Sequence, residues 1–121
     1  MKTIILFSLL FSNSLFAQTK TFNSLGKTYH VMEFNKTYTI DSCLTIEKNN
    51  TGWAIPDTAQ LRSIHSQLPE INGLKFLSST KYEGDNYIQV DMYNPIKKFI
   101  APSDNMNQPA YYTLVLIKEK E

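Results

Sequence analysis

Apolar and polar residues alternate along several stretches of this chain and fall into helical spacing along one. From Lys27 to Phe34, Tyr29, Val31 and Glu33 lie on one side of an extended chain, and His30, Met32 and Phe34 on the other. Thr37 to Glu47 continues with Tyr38, Ile40, Leu44 and Ile46, which predicts a second strand with Asn35-Lys36 as the hairpin corner. Cys43 is then a small buried strand residue and His30 a structural one. The polar tract Lys48 to Gly52 makes a turn before Trp53, the only tryptophan.

The helical signal follows at once. Pro56 keeps Ile55 out of the helical region, Asp57 caps the amides beyond it, and Gln60, three residues on, completes a capping box. A helix therefore starts near Thr58, with Leu61, Ile64 and Leu68 on one face and Arg62, Ser63, Ser66 and Gln67 turned outward. Pro69 and Asn72-Gly73 end it.

Beyond the helix, Leu74 to Leu77 predicts a short strand entering a polar loop at Ser78-Ser79-Thr80. Lys81 to Asn86 carries the turn pair Gly84-Asp85. Tyr87 to Tyr93 alternates, with Ile88, Val90 and Met92 toward a core. Ile96 to Ile100 is another strand, residues 101–109 a loop, and Tyr111 to Lys118 the most apolar strand, suited to the centre of a sheet. One main helix among about seven short strands predicts an α+β domain whose helix packs on a mostly antiparallel sheet. If the first and last strands pair, the ends of the domain meet and a loop-rich half projects beyond them.

Composition adds a compartment. Met1-Lys2-Thr3, the apolar run Ile4 to Phe11 and the stretch Ser12 to Ala17 have the three parts of a secretory signal peptide, expected to be cut after Ala17. The run is less than half of the roughly 20 residues that span a bilayer, so no membrane span is expected in the mature protein. Residues 18–26 read as a flexible lead-in, 27–118 as a single domain and 119–121 as a polar tail, in a periplasmic or secreted protein. The chain carries 12 basic and 11 acidic residues. Loss of Lys2 with the leader balances them, which argues against nucleic acid as a partner.

Cys43 is the only cysteine, so no internal disulfide supports the fold. Neither His30 nor His65 has a cysteine, a second histidine or a carboxylate at ligand spacing. No metal, cofactor or catalytic residue is therefore assigned.

Three patches resemble one family. Gly52-Trp53-Ala54-Ile55-Pro56-Asp57 with Gln60-Leu61 is similar to the Gly-Trp-Arg-Leu-Pro-Thr motif of small bacterial C-type-lectin-like domains, including one at the C-terminus of a collagen-like adhesin. Phe76 to Tyr82 resembles that family's Tyr-Trp-Ser-Ser-Thr-Glu-Tyr segment, and Tyr87 to Tyr93 falls where it has an aromatic strand. Tyr111-Tyr112 fits the closing strand in position. Ala54, Gln60 and Leu77 depart from the family's arginine, glutamate and tryptophan, so the chain resembles a degenerate member. The carboxylates, amides and Trp-Asn-Asp strand of calcium-dependent lectins are not matched by Gln108-Pro109-Ala110.

The resemblance implies a C-type-lectin-like fold and a non-catalytic binding module that recognises a glycan or an envelope protein through its loops. Ser79, Thr80, Tyr82, Asp104, Asn105, Asn107, Gln108 and Tyr111 are the candidate ligand contacts, since tyrosine rings stack on sugars and amides bond hydroxyls. A structural subunit of a larger envelope assembly is the alternative, and a small extracytoplasmic enzyme the least favoured.

Overall fold

The computed structural model describes residues 20–84, 86–94, 98–101 and 110–121, with only the backbone of 98–101. The expected signal peptide and Asp104, Asn105, Asn107 and Gln108 lie outside the described residues. The elements run β1 (Lys20–Ser24), β2 (Lys27–Tyr38), α1 (Ile40–Asn49), α2 (Thr58–Gln67), β3 (Phe76–Lys81), β4 (Tyr87–Val90), β5 (Lys98–Ala101) and β6 (Tyr112–Glu119). They form an α+β fold with one sheet in the order β1-β2-β6-β3-β4-β5. β3 and β6 pair in parallel at Phe76 and Thr113, and the other pairs are antiparallel.

Two helices, rather than one, cover this sheet, and they lie on opposite faces. The segment Ile40 to Ile46, expected to be a strand, is the body of α1. Thr39 caps it by accepting the Ser42 amide at 3.2 Å, and Ile40 and Cys43 are buried together on one side. As a strand, the same segment would have pointed Ser42 inward among Ile40, Leu44 and Ile46. Helical spacing instead gathers Ile40, Cys43 and Leu44 and leaves Ser42 exposed, so burial overrides the β preference of the isoleucines and threonines.

The second helix starts as the sequence predicts. Asp57 Oδ1 accepts from the Gln60 amide at 2.7 Å, and Gln60 Oε1 accepts from the Asp57 amide at 2.9 Å. Leu61 and Ile64 are fully buried against Phe22, Val31, Phe76, Val90, Met92, Val115 and Ile117 on the α2 face. Leu77, Tyr112, Leu114 and Leu116 form the core on the α1 face with Ile40, Cys43 and Ile55, and the half-buried Trp53 packs against it. β6 alternates between the two cores, so it is buried on both faces and central.

Three further expectations change. The lead-in contains β1, which pairs with β2 across Leu25-Gly26, so this is the N-terminal hairpin. Asn35-Lys36 is not a hairpin corner, because β2 continues through it as an irregularity between Glu33 and Thr37. Ser78, Ser79 and Thr80 belong to β3 rather than to a polar loop.

The Trp53 to Pro56 segment ties these parts together. Gly52, at φ 91°, supplies the left-handed turn into it. Ala54 then bridges Ile117 of β6 through two hydrogen bonds of 2.9 and 2.8 Å, and the Pro56 carbonyl accepts from Ser79 of β3 at 2.9 Å. The corner thus wedges β3 away from β6 beyond their short parallel contact. β2 and β6 pair along most of their length, bringing the ends of the described domain together.

Candidate functional site

The irregularity in β2 makes the most distinctive opening on the α2 face. Glu33 pairs with Val115 and Thr37 with Thr113, so Phe34, Asn35 and Lys36 together oppose the single residue Leu114. A bulge of this kind leaves backbone groups outside the ladder and bends the strand. Phe34 turns toward the other face, where its ring meets Tyr38 edge-on at 6.1 Å. The displaced chain leaves a surface groove of about 520 Å³ lined by residues 34–37 and Thr113.

A smaller cleft of about 100 Å³ adjoins this groove, sharing Phe34 and Thr113 with it. Ile71, Phe76 and Val115 lie beneath it and are nearly fully buried, so its open surface is mostly polar. Glu33, Glu70 and Asn72 supply its polar rim. Lys20 Nζ lies 3.1 Å from Glu33 and 3.9 Å from Glu70, holding two carboxylates from distant parts of the chain on one side. Lys36 adds a second cation, so the surroundings combine donors and acceptors with balanced charge. Thr113 Oγ1 donates to the Leu74 carbonyl at 3.1 Å, fixing the start of β3 beside the groove.

The structure divides the expected contact residues. Tyr111 is 53 % exposed and immediately precedes β6, outside the residues that line the groove. Tyr82 is equally exposed but follows β3 at its far end, about 20 Å of strand away at 3.3 Å per residue. Ser79 is exposed, and its amide donates to Pro56. Thr80 Oγ1 accepts from the Thr58 amide at 3.1 Å, docking β3 onto the first turn of α2. Ser79, Thr80 and Tyr82 therefore share one end of β3, apart from Tyr111.

The groove residues themselves escaped sequence reading. Asn35-Lys36 did interrupt an alternating run, and that is the one local sign of a bulge. Glu70 and Asn72 carry no sign, because they follow a helix whose docking brings them to the groove. Reactive side chains are dispersed: Cys43 is buried beneath α1, while His65 is half-buried on α2, across the sheet. Among the described residues no group of three His, Cys, Asp or Glu side chains is placed to hold a metal ion, and no helix is long and apolar enough to cross a membrane. No family model, curated protein or solved structure matches this chain.

Proposed function

We propose that the chain is an exported, non-catalytic module that binds a glycan. The observation that carries this reading is the open groove at the β2 bulge, where amide, hydroxyl and ammonium groups line the surface and carboxylates rim the adjoining cleft. A sugar presents hydroxyls that need donors and acceptors together, and an apolar ring face that stacks on an aromatic side chain. Balanced charge favours such a neutral ligand over a strongly ionic one. A C-type-lectin-like fold is the finer reading, supported by the pairing of β2 with β6, the Trp-Pro corner before the capped α2, and the β3-β4-β5 meander.

A glycan array probed with residues 18–121, run beside a pull-down from a bacterial envelope fraction, tests the proposal. Binding to one class of glycan is the expected result. Capture of a protein with a blank array would replace the glycan by a protein partner. Blank results from both would defeat the binding-module reading. Hydrolysis of a substrate that disappears in Cys43→Ala or His65→Ala would overturn its non-catalytic part.

An assembly subunit is the second reading. Leu74 and Tyr93 are 59 % and 64 % exposed, and the Met92 amide bond to the Gly73 carbonyl at 2.9 Å brings their two segments together. Sedimentation of the purified chain as a stable oligomer would favour that reading.

A further inference from the structure

We infer that Asn72 is a site of spontaneous covalent modification, where attack by the Gly73 amide converts the asparagine to aspartate and isoaspartate and loosens the start of β3. Asn72 is the only asparagine in the chain followed by glycine. It is exposed, in the irregular segment between α2 and β3, and its Nδ2 donates to the Pro69 carbonyl at 3.3 Å on the open surface. Among the described residues the Gly73 amide makes no hydrogen bond, so its nitrogen is not held away from the neighbouring side chain. The fold itself requires this glycine. Gly73 has a φ of 141°, and a Cβ there would come within 3.3 Å of Phe76 Cε1. Residue 73 therefore presents a nitrogen that no side chain shields.

The reaction consumes only water. The Gly73 nitrogen gives up its proton and bonds to Asn72 Cγ, Nδ2 leaves as ammonia, and a succinimide ring remains. Water then opens the ring at either carbonyl. Breaking the bond from nitrogen to Cγ gives aspartate in a normal backbone. Breaking the bond from nitrogen to the main-chain carbonyl carbon gives isoaspartate, whose main chain runs through Cβ and Cγ and is longer by one carbon.

The two products should act differently. Aspartate adds a carboxylate to the rim where Lys20 Nζ lies 3.1 Å from Glu33 and 3.9 Å from Glu70, but these groups are partly exposed and solvent screens the added charge. Isoaspartate displaces the backbone just before three consecutive carbonyls that tie it to the sheet. Gly73 accepts from the Met92 amide at 2.9 Å, Leu74 from Thr113 Oγ1 at 3.1 Å, and Lys75 from the Thr113 amide at 2.9 Å. The extra carbon thus acts on the bonds that seat β3 beside β4 and β6.

The test incubates the mature chain in neutral and in mildly alkaline buffer, with an unfolded control in urea, and follows it by peptide mass spectrometry. In the folded chain Asn72 should gain one mass unit before any other asparagine, faster at the higher pH, with isoaspartate among the products as the mark of the succinimide. Hydrogen exchange should then show lost protection at the Met92 and Thr113 amides in the isoaspartate form. Asn72→Asp, which adds the charge alone, should keep both amides protected, and Asn72→Ser should stay unmodified. Asn72 left intact in the folded chain while it reacts in urea would show that the fold shields it. An isoaspartate form with both amides still protected would show that the start of β3 does not depend on it. Either result overturns the inference.

Discussion

The side chain of Gln67 closes the outer edge of β1 by bonding both backbone groups of Asn23. Its Oε1 accepts from the Asn23 amide at 2.7 Å, and its Nε2 donates to the Asn23 carbonyl at 2.7 Å. The carboxamide thereby takes the place of a neighbouring strand's peptide group. β1 stands at the end of the sheet, where an unpaired edge would be a template for another chain. The same contact anchors the last turn of α2 over Phe22.

Removing that side chain should cost stability and uncover the edge together. Gln67→Ala should destabilise by about 1 kcal/mol, since both bonds are solvent-exposed and a net hydrogen bond contributes roughly 0.5–1.5 kcal/mol. Gln67→Glu keeps an acceptor for the amide but loses the donor to the carbonyl, so it should fall between wild type and alanine. Urea unfolding measures the first effect and concentration-dependent sedimentation the second. An alanine variant that stays monomeric and unchanged in midpoint would show that the edge needs no cover.

The turn preceding β2 holds a stabilising substitution in reserve. Leu25 and Gly26 have φ of 51° and 78°, the two left-handed residues of a hairpin loop in which Ser24 pairs with Lys27. Glycine accepts that conformation freely, but leucine pays for its Cβ, and at 96 % exposure Leu25 gains no packing in return. Leu25→Asn should therefore raise stability by about 1 kcal/mol, read as a higher urea midpoint with an unchanged slope.

Local chemistry explains what the chain disclosed in advance. Asp57 and Gln60 are three residues apart and bond each other, so the start of α2 was readable from that interval alone. The unbroken apolar run of β6 likewise announced burial on both faces. α1 was hidden because Ile40, Leu44 and Ile46 suit a period of two, and only the core beneath Cys43 decides for the helix. The β2 bulge depends on register with β6, far away in sequence: Asn35-Lys36 reads equally well as a turn until Thr37 is paired with Thr113. The groove inherits that difficulty. Tyr111 stood out as an aromatic at a strand start, but Glu33, Glu70 and Asn72 acquire a common purpose only through folding.

Glu47 should couple α1 to the tryptophan corner. Its Oε2 accepts from the Ile55 amide at 2.7 Å in partly buried surroundings, joining the last turn of the helix to the bridge at Ala54. Glu47→Ala would leave that amide without its partner and should cost about 1–3 kcal/mol. Trp53, half-buried nearby in sequence, should report the loosening by a red-shifted fluorescence maximum under native conditions. Glu47→Gln retains a carbonyl acceptor and should recover much of both properties. Equal losses in the two variants would mean that charge, rather than the bond to Ile55, matters there.

Cys43 should behave as a packing residue whose thiol becomes reachable only when α1 leaves the sheet. It has no exposed surface, sits in the core with Ile40, Leu77, Tyr112 and Leu114, and has its sulfur 3.9 Å from the Tyr38 carbonyl. A nucleophilic or disulfide-forming cysteine needs access as well as a favourable thiolate. An aromatic disulfide reagent should therefore label native protein far more slowly than protein in urea, and the native rate should rise in parallel with any destabilisation of α1, as in Thr39→Ala. Cys43→Ala removes little volume and should cost about 1 kcal/mol, whereas Cys43→Leu must enlarge a filled space and should cost about 1–3 kcal/mol. Rapid stoichiometric labelling of the fully native chain would contradict this burial and reopen the question of a reactive thiol.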